Sequence, residues 1–119
     1  MKIAITSKGK NLDSPSDPRF GRAAYILIVD TRDQGLEVLD NSENVNAFKG
    51  AGIQAAVMIC DRGADVLLTG YCGPNAFKTL KAAGIKVVND VTGTVRDALN
   101  AYNAGKVSFA DSANVEGAW

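Results

Sequence analysis

From Ile53 onward the sequence alternates between helix-like and strand-like stretches, and that alternation limits the available folds more than any other feature. Ile53, Ala56, Val57 and Cys60 recur at the i, i+3, i+4, i+7 spacing of an amphipathic helix. Gly63 stands where a helix C-terminal glycine belongs, and Val66 to Thr69 is then a short apolar strand. Pro74 suits the first turn of a second helix, which carries Phe77 and Leu80 inward and stops at Gly84. Ile85 to Val88 reads as a further strand. Thr92 caps a third predicted helix, whose Val95, Ala98, Leu99 and Tyr102 repeat the stripe before Gly105. Strands joined by helices need crossover connections, which are right-handed and leave the strands parallel.

The first half has a different rhythm. Lys2 to Thr6 is a short strand, and Ala24 to Asp30 is a nearly continuous apolar run, the pattern of a strand buried on both faces. Thr31 to Gly35 reads as a turn and Leu36 to Asp40 as the antiparallel partner of that run. The predicted order is strand, strand, strand, helix, strand, helix, strand, helix. A three-layer α/β/α fold with a mixed five-stranded sheet, of the ribonuclease H-like arrangement, satisfies it best. At 119 residues the chain holds one core. Residues 1–105 form the predicted domain and 106–119 a loose tail.

Composition enters through what it excludes. Lys plus Arg and Asp plus Glu both number 13, so no global charge draws the chain to nucleic acid or to a membrane surface. No stretch reaches the roughly 20 apolar residues of a membrane span, and the N-terminus runs straight into a strand without a signal-peptide pattern. A cytoplasmic protein with Cys60 and Cys72 reduced is expected. The chain has no histidine, which removes the commonest metal ligand and the commonest general base. A serine nucleophile at Ser7 would lack an imidazole, and the first strand has no carboxylate for a two-metal nuclease site. The expectation is a binding protein and not an enzyme.

In open α/β sheets ligands bind beyond the carboxyl ends of the parallel strands, where three loops of this chain should meet. The loop Ser7 to Arg22 is long and carries Lys8, Lys10, Arg19 and Arg22 against Asp13 and Asp17. It reads as an anion-gripping lid or as a solvated surface loop. Gly50-Ala51-Gly52, after Asn46 to Lys49, leads into the first helix, where glycine permits close approach of a ligand or close helix packing. Gly70-Tyr71-Cys72-Gly73-Pro74-Asn75 leads into the second helix. Cys72 falls at that helix start, where a thiol pKa is lowered and thiolate is a soft metal ligand; the plainer reading is a small loop residue. Cys60, on the apolar stripe, reads as core. Together the loops would make a pocket for an anion held by backbone N–H groups, including a sulfide-rich cluster.

Ile3-Ala4-Ile5-Thr6-Ser7, Asp17-Pro18-Arg19-Phe20-Gly21-Arg22-Ala23, Gly50-Ala51-Gly52 and Thr69 to Ala76 occur in that order over residues 1–105. In this the chain resembles the dinitrogenase iron–molybdenum cofactor biosynthesis family, and especially its small stand-alone members from anaerobes. The resemblance implies the ribonuclease H-like fold. It also implies a carrier that binds a molybdenum-containing metal–sulfur cluster, either a molybdenum–copper sulfide or an iron–molybdenum cofactor precursor. The expected site comprises Ser7, Lys8, Arg19, Phe20, Gly21, Arg22, Gly50, Ala51, Gly52, Gly70, Tyr71, Gly73, Pro74 and Asn75, with Cys72 as metal ligand. Many relatives have histidine where this chain has Arg19. Arginine offers several N–H donors to an anionic cluster and no imidazole nitrogen to a metal. Cluster donor and acceptor proteins are the implied partners, and the hairpin edge allows a monomer or a weak homodimer. Two alternatives remain open: a small-molecule or nucleotide phosphate-binding module using the same loops, and a protein-binding regulator using the hairpin edge or the tail ending in Trp119.

Overall fold

The computed structural model describes residues 1–45 and 50–114. The apolar runs become the strands β1 (Lys2–Ser7), β2 (Tyr25–Asp30), β3 (Leu36–Asp40), β4 (Val66–Leu68) and β5 (Lys86–Val88). The helices are α1 (Ser42–Val45), α2 (Ala51–Asp61), α3 (Pro74–Ala82) and α4 (Val95–Asn103). The strands form one mixed sheet in the order β3-β2-β1-β4-β5. β2 runs antiparallel to β1 and β3, and the crossovers through α2 and α3 leave β1, β4 and β5 parallel.

The strand pleat sorts the core. Ala4, Ile26, Ile28, Leu67 and Val87 pack with Ala55, Ala56 and Ile59 of α2 and Ala76 and Leu80 of α3. Ile3, Ile5, Leu27, Val29, Val66, Leu68 and Val88 pack with Val95, Ala98 and Leu99 of α4. Because side chains alternate between faces, a strand covered on both sides must be apolar at consecutive positions. Ile26 through Val29 meets that demand, and all four residues are buried. Among the described residues no helix is long and apolar enough to cross a membrane.

Register aligns the strand ends at one edge of the sheet. Ser7 pairs with Tyr25, and Tyr25 with Asp40, while β4 and β5 end alongside at Leu68 and Val88. The segments that follow β1, β3, β4 and β5 therefore all leave or arrive at one edge.

Local details differ from the sequence reading. α2 buries Ala51, Gly52, Ala55, Ala56 and Ile59, while Ile53 and Val57 are 39% and 47% exposed. Gln54 is the sole polar residue before Asp61, so periodicity could not choose a face. The smallest residues win because they let the helix lie close to the sheet. Cys60 is half-buried against the same core. The cap of α4 is Thr94 and not Thr92: the Asp97 N–H donates to Thr94 Oγ1 at 3.1 Å and the Thr94 N–H to Asp97 Oδ2 at 3.1 Å. Gly93, with φ +82°, turns the chain between the two threonines. The short α1 arises in what reads as a polar connector.

Nor is the tail loose up to Asn114. The Ala110 N–H donates to Val87 O at 2.7 Å, and Lys86 Nζ lies 5.0 Å from the Phe109 ring centre. The connector residues Asn46 to Lys49 and the terminal Trp119 fall outside the described residues.

The cap assignment is testable. Thr94→Ala should cost about 1 kcal/mol in urea unfolding, the usual loss for an N-cap threonine, whereas Thr92→Ala should leave the midpoint within error. Equal effects at both positions would contradict it.

Candidate functional site

The edge is organised by pairing that continues past the end of the sheet. β1 and β4 are in register from Ile3–Val66 to Ile5–Leu68. One step on, the Thr6 and Thr69 hydroxyls lie 2.9 Å apart and buried. Thr6 Oγ1 donates to Asp17 O at 2.5 Å, and the Asp17 N–H donates to Thr6 O at 3.0 Å. The long loop thus returns over the end of its own strand. It then pairs with the β4–α3 loop: the Tyr71 N–H donates to Pro18 O at 2.5 Å and the Phe20 N–H to Tyr71 O at 3.1 Å.

Two glycines permit this layering. A Cβ on Gly70 would sit 2.6 Å from Pro18 Cα. Gly21 has φ +96°, and a Cβ there would sit 2.7 Å from the backbone nitrogen of Gly52. Of the two readings of Gly50-Ala51-Gly52, close packing is the one visible for Gly52. Asn41 holds the same turn from below, its Nδ2 donating to Gly21 O at 3.1 Å and to Ala23 O at 2.8 Å. Asn44 Nδ2 in turn donates to Asn41 Oδ1 at 2.6 Å.

The loop Ser7 to Arg22, read from sequence as a lid or a solvated surface loop, is accordingly an ordered strap. Besides the bonds above, the Lys8 N–H reaches Pro15 O at 2.9 Å and the Ser16 N–H reaches Gly93 O at 2.9 Å. Phe20 is fully buried in the core and anchors the loop, so its side chain has no surface to offer a ligand. The same correction applies to Ser7, whose buried hydroxyl donates to Gly9 O at 2.8 Å, and to the Ala51 methyl. Gly21, Gly52, Gly70 and Gly73 are buried as well. Lys8, Arg19, Tyr71, Pro74 and Asn75 are exposed, with Arg22 and Gly50 half-buried.

Cys72 departs most from expectation. Its residue is fully buried, and burial pushes its thiol up to about 12 instead of lowering it. Sγ lies 3.8 Å from Gly73 O, within the core cluster that holds Ala76 and Leu80. Desolvation disfavours thiolate more than a helix start favours it. Burial also raises the Cys60 thiol, with Asp61 adding to the effect.

What the edge presents is a turn set between two helix starts. The Arg22 N–H donates to Arg19 O at 3.1 Å, closing a turn with Gly21 at its corner. Gly21 lies against Ala51 and Gly52 at the start of α2, while Arg19 and Phe20 lie beside Tyr71, ahead of α3. Among the described residues, Gly50 and Gly73 cap these helices without a side-chain bond, and neither first turn contains an acid. α4 differs: it has its capping box, and its Val95 and Arg96 N–H groups donate to Ser14 O and Leu12 O at 3.0 and 2.7 Å. The Arg19 side chain is 49% exposed, and its Nε lies 3.4 Å from Oδ1 of the buried Asp17, which also accepts the Arg19 N–H at 3.0 Å. Helix-start N–H groups with arginine nearby favour an anion. Among the described residues no group of three or more Cys, Asp or Glu side chains could hold a metal ion.

The polar residues that build this edge were mostly not singled out from sequence. Thr69 and Asp17 lie inside noted motifs, whereas Asn41 and Asn114 lie in a connector and a tail. Asn114 accepts the Cys72 N–H at 2.8 Å from 42 residues away.

Two outcomes follow from the geometry. Gly70→Ala should destabilise the fold by about 1–3 kcal/mol, because its methyl must displace Pro18 backbone; urea unfolding measures it. In a Cys60→Ser chain, thiolate absorbance near 240 nm should stay flat through pH 9 when folded and rise near pH 9 in urea. The thiol pKa is raised in the folded state, so its contribution to stability is complete below about pH 9 and is lost as pH climbs towards about 12. A native titration near 9 would refute the burial.

The family described as "Dinitrogenase iron-molybdenum cofactor" matches residues 1–105. The apo form of the orange protein from Desulfovibrio gigas is 47% identical, with 96% of each chain covered and a TM-score of 0.93. A Thermotoga protein provisionally described as a NifB protein of the DUF35 family is 36% identical over 98% of each chain, with a TM-score of 0.85. A Methanocaldococcus jannaschii protein provisionally described as a dinitrogenase shares the fold alone, at 16% identity and a TM-score of 0.71 over 94% of this chain and 96% of its own. No curated protein sequence matches the chain. The motifs noted along the sequence, the mixed sheet and these relatives agree, and the chain belongs to the dinitrogenase iron–molybdenum cofactor family.

Proposed function

We propose that this protein binds an anionic molybdenum-containing metal–sulfur cluster as cargo and hands it from a donor protein to an acceptor, without catalysing a reaction of its own. The observation that carries the reading is the turn Arg19–Arg22, seated between two helix starts that, among the described residues, lack both side-chain caps and acids. An anion bound there is held by N–H donors and guanidinium groups, which suits a chain with no histidine. Arg19, Arg22 and Lys8 offset the charge of the cluster, and the N–H groups at the starts of α2 and α3 donate to its sulfurs. Tyr71, exposed beside Arg19, flanks the cargo. Cys72 keeps its place as the proposed soft ligand, reached when the Gly70–Gly73 loop that carries it opens.

Likeness to an apo-form orange protein and to a NifB-type protein supports the cofactor-assembly setting. Within it we favour a molybdenum–copper sulfide or an iron–molybdenum cofactor precursor as cargo. The strand order and the packing of helices on both faces support reading the architecture as three-layered and ribonuclease H-like. A cytoplasmic monomer or weak homodimer completes the proposal.

Protein purified without oxygen and incubated with tetrathiomolybdate and copper(I) should take up stoichiometric molybdenum and show visible charge-transfer bands. Arg19→Ala with Arg22→Ala should weaken uptake about tenfold or more, since each charge-assisted bond contributes about 1.5–3 kcal/mol, while the thermal midpoint stays near that of the parent. Uptake unchanged in the double variant would remove the turn from the site. A colourless protein that instead retains a nucleotide would replace the cluster by a phosphate ligand.

A further inference from the structure

Asn114 makes more bonds to the β4–α3 loop than its place in a tail suggests. Its N–H donates to Cys72 O at 3.2 Å, and its Oδ1 accepts the Cys72 N–H at 2.8 Å. Its Nδ2 donates to Gly70 O at 2.9 Å and reaches Asp90 Oδ1 at 3.5 Å. One side-chain amide thus serves a donor and an acceptor two residues apart, as a neighbouring strand would, and the main chain adds a third bond. The segment before it is pinned once more, at Ala110 to Val87 O, with Asp111 and Ser112 exposed between the two pins.

The consequence lies in what the loop shows and hides. Tyr71 is 42% exposed, while its neighbour Cys72 is fully buried. Holding Gly70 O together with both backbone groups of Cys72 fixes that alternation, tyrosine outward and thiol inward. Of the two cysteines, Cys60 lies near the far end of α2, so Cys72 is the thiol at this edge. Without the Asn114 side chain, the Cys72 N–H would exchange its protein partner for water and Gly70 O would keep only the Asp90 N–H. The Cys72 end of the loop would then be the least tied, while Tyr71 stays paired with Pro18 and Phe20.

We infer that Asn114 is a positioning residue, the catch of a C-terminal latch that holds the Gly70–Gly73 loop closed over Cys72 and opens to bring its sulfur to the edge. The latch is a property of the cargo-free protein; its role in holding cargo rests on the carrier reading.

The test uses the full chain with Cys60→Ser, so that Cys72 is the single thiol. With the latch closed, Cys72 should react slowly with dithionitrobenzoate at pH 8 and its amide should exchange slowly. Asn114→Ala should raise both rates at least tenfold while the Ile5 and Leu67 amides keep their protection. Asn114→Asp, which retains the acceptor for the Cys72 N–H, should fall between. Unchanged rates at Cys72 in Asn114→Ala would overturn the latch, and so would equal loss of protection at Ile5 and Leu67. A second arm loads each variant with tetrathiomolybdate and copper(I). Release of molybdenum several times faster from Asn114→Ala supports the cargo role, and release at the parent rate overturns it. If no variant takes up metal yet Cys72 is still deprotected by Asn114→Ala, the carrier reading fails and the latch stands.

Discussion

The edge of this protein depends on the parallel pairing of β1 with β4. Both strands are buried, and their pairing runs on past Leu68 through the facing hydroxyls of Thr6 and Thr69 into Pro18, Phe20 and Tyr71. A buried hydroxyl must find a partner, and a backbone group withdrawn from water must do the same. The end of a parallel sheet presents several such groups at once. The returning loop satisfies them, with Asp17 O and N–H taking up those of Thr6. A segment that composition would class as irregular is thereby held by backbone bonds of the kind that join strands.

Once that layer is in place, the glycines acquire a role other than the one their motifs suggest. Glycines near helix starts are easily read as room for a phosphate or a cluster. At Gly21 and Gly70 the room is filled by the protein itself, by α2 backbone in one case and Pro18 in the other. In the proposed site the ligand surface lies farther out, at the turn that these contacts support and at the side chains of Arg19, Arg22 and Tyr71. This division is physically economical: rigidity comes from buried backbone contacts, and charge remains at the surface, where an anion can meet it.

At Cys72 packing overrides the local signal. A cysteine just before a helix, judged by its neighbours in sequence, is a candidate thiolate. Three-dimensional packing places its sulfur in the core, where the desolvation penalty dominates and the thiol is held neutral at ordinary pH. Cys72 does stand just before a helix, and its side chain points into the core instead of outward. That direction is held in part by Asn114, a residue no local motif would connect to it.

The sequence by itself determined the type and order of the strands and of the longer helices. Those signals are local: alternation, helical spacing, and glycine or proline at the ends act over a few residues, and they are legible in Ile26 to Val29 or in Pro74 to Gly84. The family motifs extended that legibility to the family to which the chain belongs. Tertiary structure alone decided which face of α2 is buried, which threonine caps α4, whether the long loop is strap or lid, and what the tail does. The physical reason is that each of those choices depends on partners far along the chain, Thr6 with Thr69 across 63 positions and Cys72 with Asn114 across 42. Several local patterns were compatible with each choice, and only the shared burial of distant groups made one of them lowest in free energy.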